Sequence, residues 1–297
     1  MKPARQKLQS AMEYLMTYGW SILIVAVVLG ALAYLGVFNP LYFAPKANPG
    51  SCQVFRPNGA GTSYDINLLG ACNGEIPQYV MSINEPLIGG VQAYVEAKMP
   101  PNLEIAPDSN LTISAWVDIV KNNLGIANEM PPEIGYDSSY QEGEIRASYY
   151  DIQMVRGGQQ DMYFSYSTGK WYNFIGTYSS NSVSNTVTLY VDGDLYGSGS
   201  TSGMEATGNV IIGSYLNVNA VTTMYISNVQ IYNASLGTNS IKALYDEGIG
   251  GAPIDLQNLV GWWPLNGNAN DYSGNGNNGV PTNVVYTSSW ISSYNPP

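Results

Sequence analysis

The chain has 297 residues, with 11 basic and 22 acidic side chains, a formal net charge of −11 and no histidine. An acidic chain with so few Lys and Arg residues lacks the basic surface that nucleic-acid phosphates require. Without histidine, the chain also has no His-based catalytic triad and no imidazole metal ligand.

The first predicted element is a long apolar helix behind a basic leader. Three basic residues precede a run that carries no charge from residue 14 to residue 38. A helix of that length extends about 37 Å, which is enough to cross a bilayer core of about 30 Å. The leading bases predict a cytoplasmic N-terminus, with everything beyond about residue 39 outside the cell.

A short motif at the start of this helix carries the first resemblance to a known family. The sequence Gln-Ser-Ala-Met-Glu-Tyr-Leu, beginning at Gln9, resembles the class III signal peptides of archaeal type IV pilin-like proteins. The resemblance implies that a prepilin peptidase removes the cytoplasmic leader, residues 1–8, by cutting between Leu8 and Gln9. It also implies that Glu13 pairs with the new amino terminus of a neighbouring subunit, since a buried ion pair is tolerated where a lone buried charge is not. The alternative is a plain signal-anchor helix over residues 9–38.

Residues 39–77 are predicted to be a proline-rich stalk that carries a small disulfide-closed loop. Prolines end the helix and favour an extended chain. Cys52 and Cys72 are the only cysteines, and both follow the predicted span, on its oxidising side. A disulfide between them would close a loop of about 20 residues and stabilise it by roughly 3 kcal/mol. Two free buried thiols are the alternative.

Residues 78–297 carry the pattern of a β-sandwich. Short alternating strands recur there with Gly, Asn and Asp between them. Asp192-Gly193 is typical of a tight hairpin turn, and only residues 238–248 have the pattern of a helix. The predicted fold class is therefore mainly β, with a long N-terminal hydrophobic helix followed by an antiparallel β-sandwich.

A series of motifs in this region resembles the concanavalin A-like, laminin-G-like jelly roll of many extracellular proteins. The series includes Leu-Thr-Ile-Ser-Ala-Trp-Val at Leu111, Leu-Tyr-Val-Asp-Gly at Leu189 and Ile-Lys-Ala-Leu-Tyr at Ile241. The resemblance implies two antiparallel sheets of six or seven strands over about residues 78–290. The block Leu-Val-Gly-Trp-Trp-Pro at Leu259 resembles a segment that normally opens such a domain. It predicts a circularly permuted domain, with strand exchange between subunits as the alternative.

Candidate site residues in this domain are few. Asn110 and Asn233 begin N-glycosylation sequons. Asp271 lies among several asparagines and is a candidate calcium ligand, while a series of Asn-Gly turns is the other interpretation of the same pattern. No other cofactor is predicted.

Catalysis is not predicted. Glucanases of this fold use a glutamate pair within Glu-x-Asp-x-Glu, and the nearest cluster, Glu142-Gly-Glu144, lacks the central Asp and the third acid. Aromatic side chains that stack on sugars are not identifiable among 24 tyrosines. The tryptophans that lie within apolar strand patterns are predicted to be core residues: Trp116, Trp171, Trp262 and Trp263.

The sequence thus predicts an archaeal pilin-like filament subunit that is not an enzyme. Its N-terminal helix would form the filament core, and its sandwich would be displayed for adhesion or glycan binding. The predicted partners are other copies of the chain through that helix, the membrane, the prepilin peptidase and surface glycans. The protein would lie in the cell membrane before assembly and in an extracellular filament afterwards. One alternative is a single-pass membrane-anchored surface lectin that does not polymerise. A more remote alternative is a surface glycoside hydrolase.

Overall fold

The chain separates into two compact units, Met1–Lys46 and Ala47–Pro297. The computed structural model describes residues 18, 20–30, 52–55, 63–66, 68–69, 76–83, 93–98, 110–122, 133–137, 144–147, 151–156, 159–180, 185–201, 208–214, 222–295 and 297.

The first unit contains a helix, α1, of which residues 18 and 20–30 are described. Nowhere in the described part of the chain is a helix both long enough and apolar enough to cross a bilayer. Most of the predicted helix over residues 9–38 lies outside the described residues. The long transmembrane or filament helix therefore stays a prediction.

The second unit is built almost entirely of strands, with one described α-helix. Its first strands are β1 (Cys52–Phe55), β2 (Ser63–Ile66), β3 (Leu68–Leu69), β4 (Ile76–Pro77), β5 (Val80–Ile83), β6 (Ala93–Ala97), β7 (Leu111–Asn122), β8 (Glu133–Asp137), β9 (Glu144–Ala147) and β10 (Asp151–Arg156). The later elements are β11 (Gln159–Ser165), β12 (Trp171–Ser180), β13 (Asn185–Val191), β14 (Asp194–Thr201), β15 (Asn209–Ser214), β16 (Thr222–Tyr232), α2 (Thr238–Asp246), β17 (Leu259–Trp263), β18 (Gly279–Thr282) and β19 (Val285–Thr287).

Two large antiparallel sheets form this unit. The eight-stranded sheet has the order β14-β13-β12-β7-β16-β5-β19, with β17 also paired to β16. The seven-stranded sheet has the order β11-β10-β9-β8-β15-β6-β18. Two further pairs, β1 with β2 and β3 with β4, lie in the segment that was predicted to be the stalk.

Alternate side chains of the central strands form the core between the two large sheets. Ile113 and Val117 of β7 belong to the same apolar cluster as Val95 of β6 and Ile212 of β15. Because side chains alternate between the faces of a strand, this shared cluster shows that the sheets pack face to face. The prediction of a mainly β, antiparallel sandwich is confirmed.

The other face of the eight-stranded sheet is also covered. Trp116 and Trp171 pack there with Trp290, close to the C-terminus. Ile241 and Leu244 of α2 pack on the neighbouring part of the same face. As a result, β7 is buried on both faces over nine consecutive residues, which explains its nearly continuous apolar sequence.

The C-terminal block completes the sandwich of its own chain. Strand β17 pairs with β16, β18 pairs with β6, and β19 pairs with β5. Strands β18 and β19 are the last strands of the two sheets. In this structure the block pairs with strands of its own chain, which is the arrangement that a permuted domain predicts.

Two local predictions are confirmed by the backbone. Asp192 and Gly193 have φ angles of 52° and 79°, the positive values that a tight hairpin turn between β13 and β14 requires. Helix α2 occupies most of the segment predicted to be helical. The N–H of Gly248, at φ 78°, donates to the carbonyl oxygen of Tyr245 at the end of that helix.

Candidate functional site

Two half-exposed tyrosines lie together where edge strands of the two sheets meet. Tyr163 of β11 and Tyr196 of β14 are 47% and 48% exposed, and the neighbouring Leu195 is 60% exposed. The hydroxyl of Tyr196 donates a 2.7 Å hydrogen bond to the carbonyl oxygen of Tyr163. Tyr163 and Tyr196 are called the aromatic edge below.

Partly and fully buried aromatic rings pack next to the Tyr196 ring of the aromatic edge. Phe164 packs edge-to-face on Tyr196, with ring centroids 5.2 Å apart, and on Tyr172 at the same distance. Phe164 also contacts Phe174, which has no solvent exposure. Edge-to-face packing holds rings in defined orientations, so the Tyr196 ring is held by contacts that lead into the core.

Charged groups flank this surface. The Nζ atom of Lys170 lies 4.3 Å from the ring centroid of Tyr172 and 3.8 Å from Oδ2 of Asp192. Burial raises the pKa of Asp192 above the ordinary carboxyl value, while the N–H of Asn173 and the charge of Lys170 oppose that shift. Asp194, the first residue of β14, is exposed beside this turn. The surroundings of the aromatic edge therefore carry more negative than positive charge.

The arrangement is suited to binding rather than to bond cleavage. Exposed aromatic rings next to a few polar groups are typical of ligand sites that stack on an apolar face and orient it by hydrogen bonds. Within the described ranges, no group of three or more Cys, Asp or Glu side chains is placed to hold a metal ion. The chemistry available at this surface is stacking, hydrogen bonding and weak electrostatic attraction or repulsion.

The predicted calcium ligand, Asp271, is buried and fully engaged by protein donors. Its Oδ1 accepts hydrogen bonds from the N–H groups of Trp262 (3.0 Å) and Ser273 (2.8 Å). Its Oδ2 accepts from the Ser273 hydroxyl and from the N–H of Asn277, both at 2.8 Å. A cation would have to displace these donors, so the geometry favours the turn-forming interpretation of the asparagine-rich segment.

The two predicted sequon asparagines, Asn110 and Asn233, are both exposed. Asn110 immediately precedes β7, and Asn233 immediately follows β16. The tyrosines of the aromatic edge lie on β11 and β14, and neither of these strands pairs with β7 or β16. The aromatic edge and the sequons are thus separate surfaces.

Several predicted site residues lie outside the described residues. They include Leu8 and Gln9 of the processing site, Glu13 and Cys72. Cys52 is described only as backbone, as the first residue of β1. Processing, assembly through Glu13 and the Cys52–Cys72 disulfide therefore stay predictions.

The carboxylate pair considered for hydrolysis is described only in part. Glu142 falls outside the described residues, and Glu144 is described as backbone at the start of β9. The predicted core role of the tryptophans is confirmed for Trp116, Trp171, Trp262 and Trp263, which are all buried.

Sequence reasoning missed the aromatic edge, because tyrosines are too frequent in this chain to single out two of them. One signal was present in the pattern. Leu195 and Tyr196 are consecutive large residues directly after the Asp192-Gly193 turn. Since neighbouring side chains of a strand point to opposite faces, two such residues on an edge strand cannot both enter one core.

Comparison with known proteins identifies the sandwich as a familiar fold. The family model of the concanavalin A-like lectin/glucanases superfamily matches residues 89–242. No curated protein sequence matches the chain significantly.

Solved structures are similar over most of the chain. A Bacteroides ovatus protein described as carbohydrate-binding has 15% identity and a TM-score of 0.54, over 76% of this chain and 66% of that one. The heptameric SAP-like pentraxin of Limulus polyphemus has 12% identity and a TM-score of 0.49, over 70% of this chain and 94% of that one. The botulinum neurotoxin serotype D binding domain has 16% identity and a TM-score of 0.44, over 56% of this chain and only 41% of that one. At 15% identity the similarity to the Bacteroides ovatus protein establishes the fold alone, an antiparallel jelly roll.

Proposed function

The chain belongs to the concanavalin A-like lectin/glucanases superfamily, and from that premise we propose that its β-sandwich binds carbohydrate without cleaving it. The observation that carries the proposal is the aromatic edge. Tyr163 and Tyr196 present two half-exposed rings, and the Tyr196 ring packs edge-to-face on the partly buried Phe164. A ring that is held in place loses little conformational entropy when it stacks on the apolar face of a sugar.

The charge around this surface favours neutral glycans. Two acidic residues, Asp192 and Asp194, flank the aromatic edge, and Lys170 is the one cation described beside them. The whole chain carries a net charge of −11. Like charges repel an approaching anionic ligand. Sialylated or uronic-acid-rich glycans should therefore bind more weakly than neutral ones.

Binding of the full-length chain in detergent micelles to an array of neutral and acidic glycans tests this proposal. We expect Tyr163→Ala and Tyr196→Ala each to weaken binding of the best neutral glycan about ten-fold, which corresponds to about 1.4 kcal/mol. Tyr196→Phe keeps the ring but loses the hydrogen bond to Tyr163, so it should have the smaller effect.

A matched control is available at the far edge of the seven-stranded sheet. Val280 of β18 is 60% exposed, like Leu195, but it lies at the opposite end of the strand order. Val280→Ala should leave glycan binding unchanged, whereas Tyr196→Ala should weaken it. Equal effects of the two variants, or no glycan binding by the native chain, would contradict the proposal.

Absence of catalysis is part of the same proposal. It is tested by incubating the native chain with neutral polysaccharides and measuring reducing ends. No release above that of a boiled sample is expected. Release that is lost in Glu144→Gln would instead support the hydrolase alternative.

Display at the cell surface through the N-terminal segment is a second part of the proposal, and it is supported by sequence alone. The basic leader, the uncharged run and the motif around Glu13 favour a pilin-like subunit that is processed at Gln9. The anchored, non-polymerising lectin needs the same helix but no cleavage. N-terminal sequencing of the native protein distinguishes the two, because a chain that starts at Gln9 supports processing and an intact leader supports the anchor.

A further inference from the structure

The chain contains two N-glycosylation sequons, and the fold brings them together. They are Asn110-Leu-Thr112 and Asn233-Ala-Ser235, which are 123 positions apart in the printed sequence. Strand β7 starts after the first asparagine, and strand β16 ends before the second. In the antiparallel register of these neighbouring strands, Thr112 pairs with Tyr232. Both asparagines therefore leave the eight-stranded sheet at the same end of adjacent strands.

Hydrogen bonds join one sequon directly to the other. The hydroxyl of Thr112 donates a 2.6 Å hydrogen bond to the carbonyl oxygen of Ala234, the middle residue of the second sequon. The same hydroxyl accepts a 3.0 Å hydrogen bond from the N–H of Leu236, directly after that sequon. The backbone of the second sequon thus encloses the hydroxyl of the first.

The two sequons differ in what the folded chain exposes. Both asparagines are exposed, and Ser235 is partly exposed. Thr112, in contrast, has 0% exposure. The Oδ1 atom of Asn110 also accepts a 3.0 Å hydrogen bond from the N–H of Ser180. In the folded state only the second sequon presents both its asparagine and its hydroxyl side chain to solvent.

The chemistry of transfer requires both groups. The asparagine Nδ2 forms a bond to the anomeric carbon of a lipid-phosphate-linked oligosaccharide, while the bond from that carbon to the phosphate oxygen breaks. The lipid phosphate leaves with the electron pair, and the amide nitrogen loses one proton. The transferase reads the hydroxyl two residues after the asparagine, so a hydroxyl enclosed by another loop prevents recognition.

We propose that Asn110 and Asn233 form one paired N-glycosylation site in which folding closes one asparagine to modification and leaves the other open. Asn110 accepts its glycan only before β7 pairs with β16, because that pairing encloses Thr112. Asn233 accepts a glycan in the folded chain as well. The proposal does not depend on carbohydrate binding by the aromatic edge.

The location of the pair keeps it away from the aromatic edge. Ser180, which contacts Asn110, is the last residue of β12. Leu195, next to Tyr196, pairs with Tyr190, and Tyr190 pairs with Ile175, five residues before Ser180 on β12. Five residues of a strand extend about 17 Å, so glycans on the paired site would start at the end of the sheet and not at Tyr196.

In vitro transfer with a purified oligosaccharyltransferase and its lipid-linked oligosaccharide tests the proposal. The full-length chain is presented either folded in detergent or unfolded in a urea concentration that the enzyme tolerates. Intact mass and glycopeptide mapping locate the products. We expect one added glycan, at Asn233, on the folded chain and two on the unfolded chain.

Two variants serve as matched controls. Asn233→Gln should accept no glycan when folded and one when unfolded, whereas Asn110→Gln should accept one glycan in both states. Both changes replace an exposed amide by a longer amide, and their folding is checked by circular dichroism. Modification of Asn110 in the folded chain at the rate of the unfolded chain would overturn the proposal, as would failure of the unfolded chain to accept a glycan at either asparagine.

Discussion

The hydroxyl of Ser293 donates a 2.7 Å hydrogen bond to Oδ2 of Asp118, a carboxylate that is completely buried on β7. The two residues are 175 positions apart. Their contact joins the short 3₁₀ helix Ile291–Ser293 to the middle of the eight-stranded sheet. Burial raises the pKa of Asp118, while the Ser293 bond and the N–H groups of Gly169 and Lys170 oppose the shift.

Ser293→Ala should destabilise the folded chain by about 1–3 kcal/mol, because it deprives a buried carboxylate of a hydrogen-bond donor. The loss of stability caused by Ser293→Ala should be larger at pH 7 than at pH 4. Without the Ser293 donor, the pKa of Asp118 is raised further. The energetic penalty of burying the charged carboxylate is therefore present above that pKa and disappears once Asp118 is protonated. Urea unfolding at both pH values measures this difference. Ser288→Ala, at an exposed serine, should have no effect, and an equal loss in both variants would count against the role of the bond.

Asp271→Asn should destabilise the sandwich by about 3 kcal/mol, because one of two oxygens that accept hydrogen bonds becomes an amide nitrogen facing N–H and O–H donors. Excess calcium should leave the melting temperature of the native chain unchanged relative to EDTA. Asp255→Asn is the control, since Asp255 accepts its hydrogen bonds from Asn258 in an exposed turn. A calcium-dependent rise in melting temperature that Asp271→Asn abolishes would restore the metal-site interpretation.

The sequence predicted the regular parts of the sandwich well. Alternation placed β12 and β13 correctly, and the Asp192-Gly193 dipeptide located the hairpin that joins β13 to β14, since that turn needs positive φ. It also predicted that Trp116, Trp171, Trp262 and Trp263 are core residues. These features depend on local periodicity and on intrinsic backbone preferences, which a single sequence displays.

The long-range contacts were not predictable in the same way. Nothing in the pattern around Ser293 indicates Asp118 as its partner, and nothing distinguishes Tyr163 and Tyr196 from the other tyrosines. The buried hydroxyl of Thr112 likewise depends on the register between β7 and β16. Pairing between distant strands is set by the whole sandwich, so its consequences appear only in three dimensions.

Gly261→Ala should destabilise the chain by about 2–3 kcal/mol, because a Cβ at this position would collide with Cη2 of the Trp263 ring. That ring cannot easily move, since it is fully buried and its Nε1 donates to the carbonyl oxygen of Asn277. Thermal unfolding measures the effect. Gly237→Ser is the control at a glycine with open space around it. It supplies an N-cap side chain to α2, so a neutral or slightly stabilising effect is expected.

A half-buried carboxyl at the end of α2 makes stability depend on pH near neutrality. The Oε2 atom of Glu247 is buried without a hydrogen-bond partner. Burial, and then the charge of Asp246, raise the pKa of Glu247 to about 7 from an ordinary value of 4.5. The folded chain therefore binds this proton more tightly than the unfolded chain does. From this group alone, stability falls as the pH rises from about 4.5 to about 7 and is constant above that range.

Glu247→Gln should remove this dependence. We expect the variant to be more stable than the native chain by about 1–2 kcal/mol at pH 8, less than the full shift implies because the carboxyl is partly solvated, and equally stable near pH 4.5. Urea unfolding at a series of pH values gives the slope of the free energy of unfolding against pH for the native chain and for Glu247→Gln. Asp246→Asn is the comparison variant, since it removes only the second cause of the shift and should reduce the slope without abolishing it. Identical slopes for the native chain and Glu247→Gln would show that the proton is bound elsewhere.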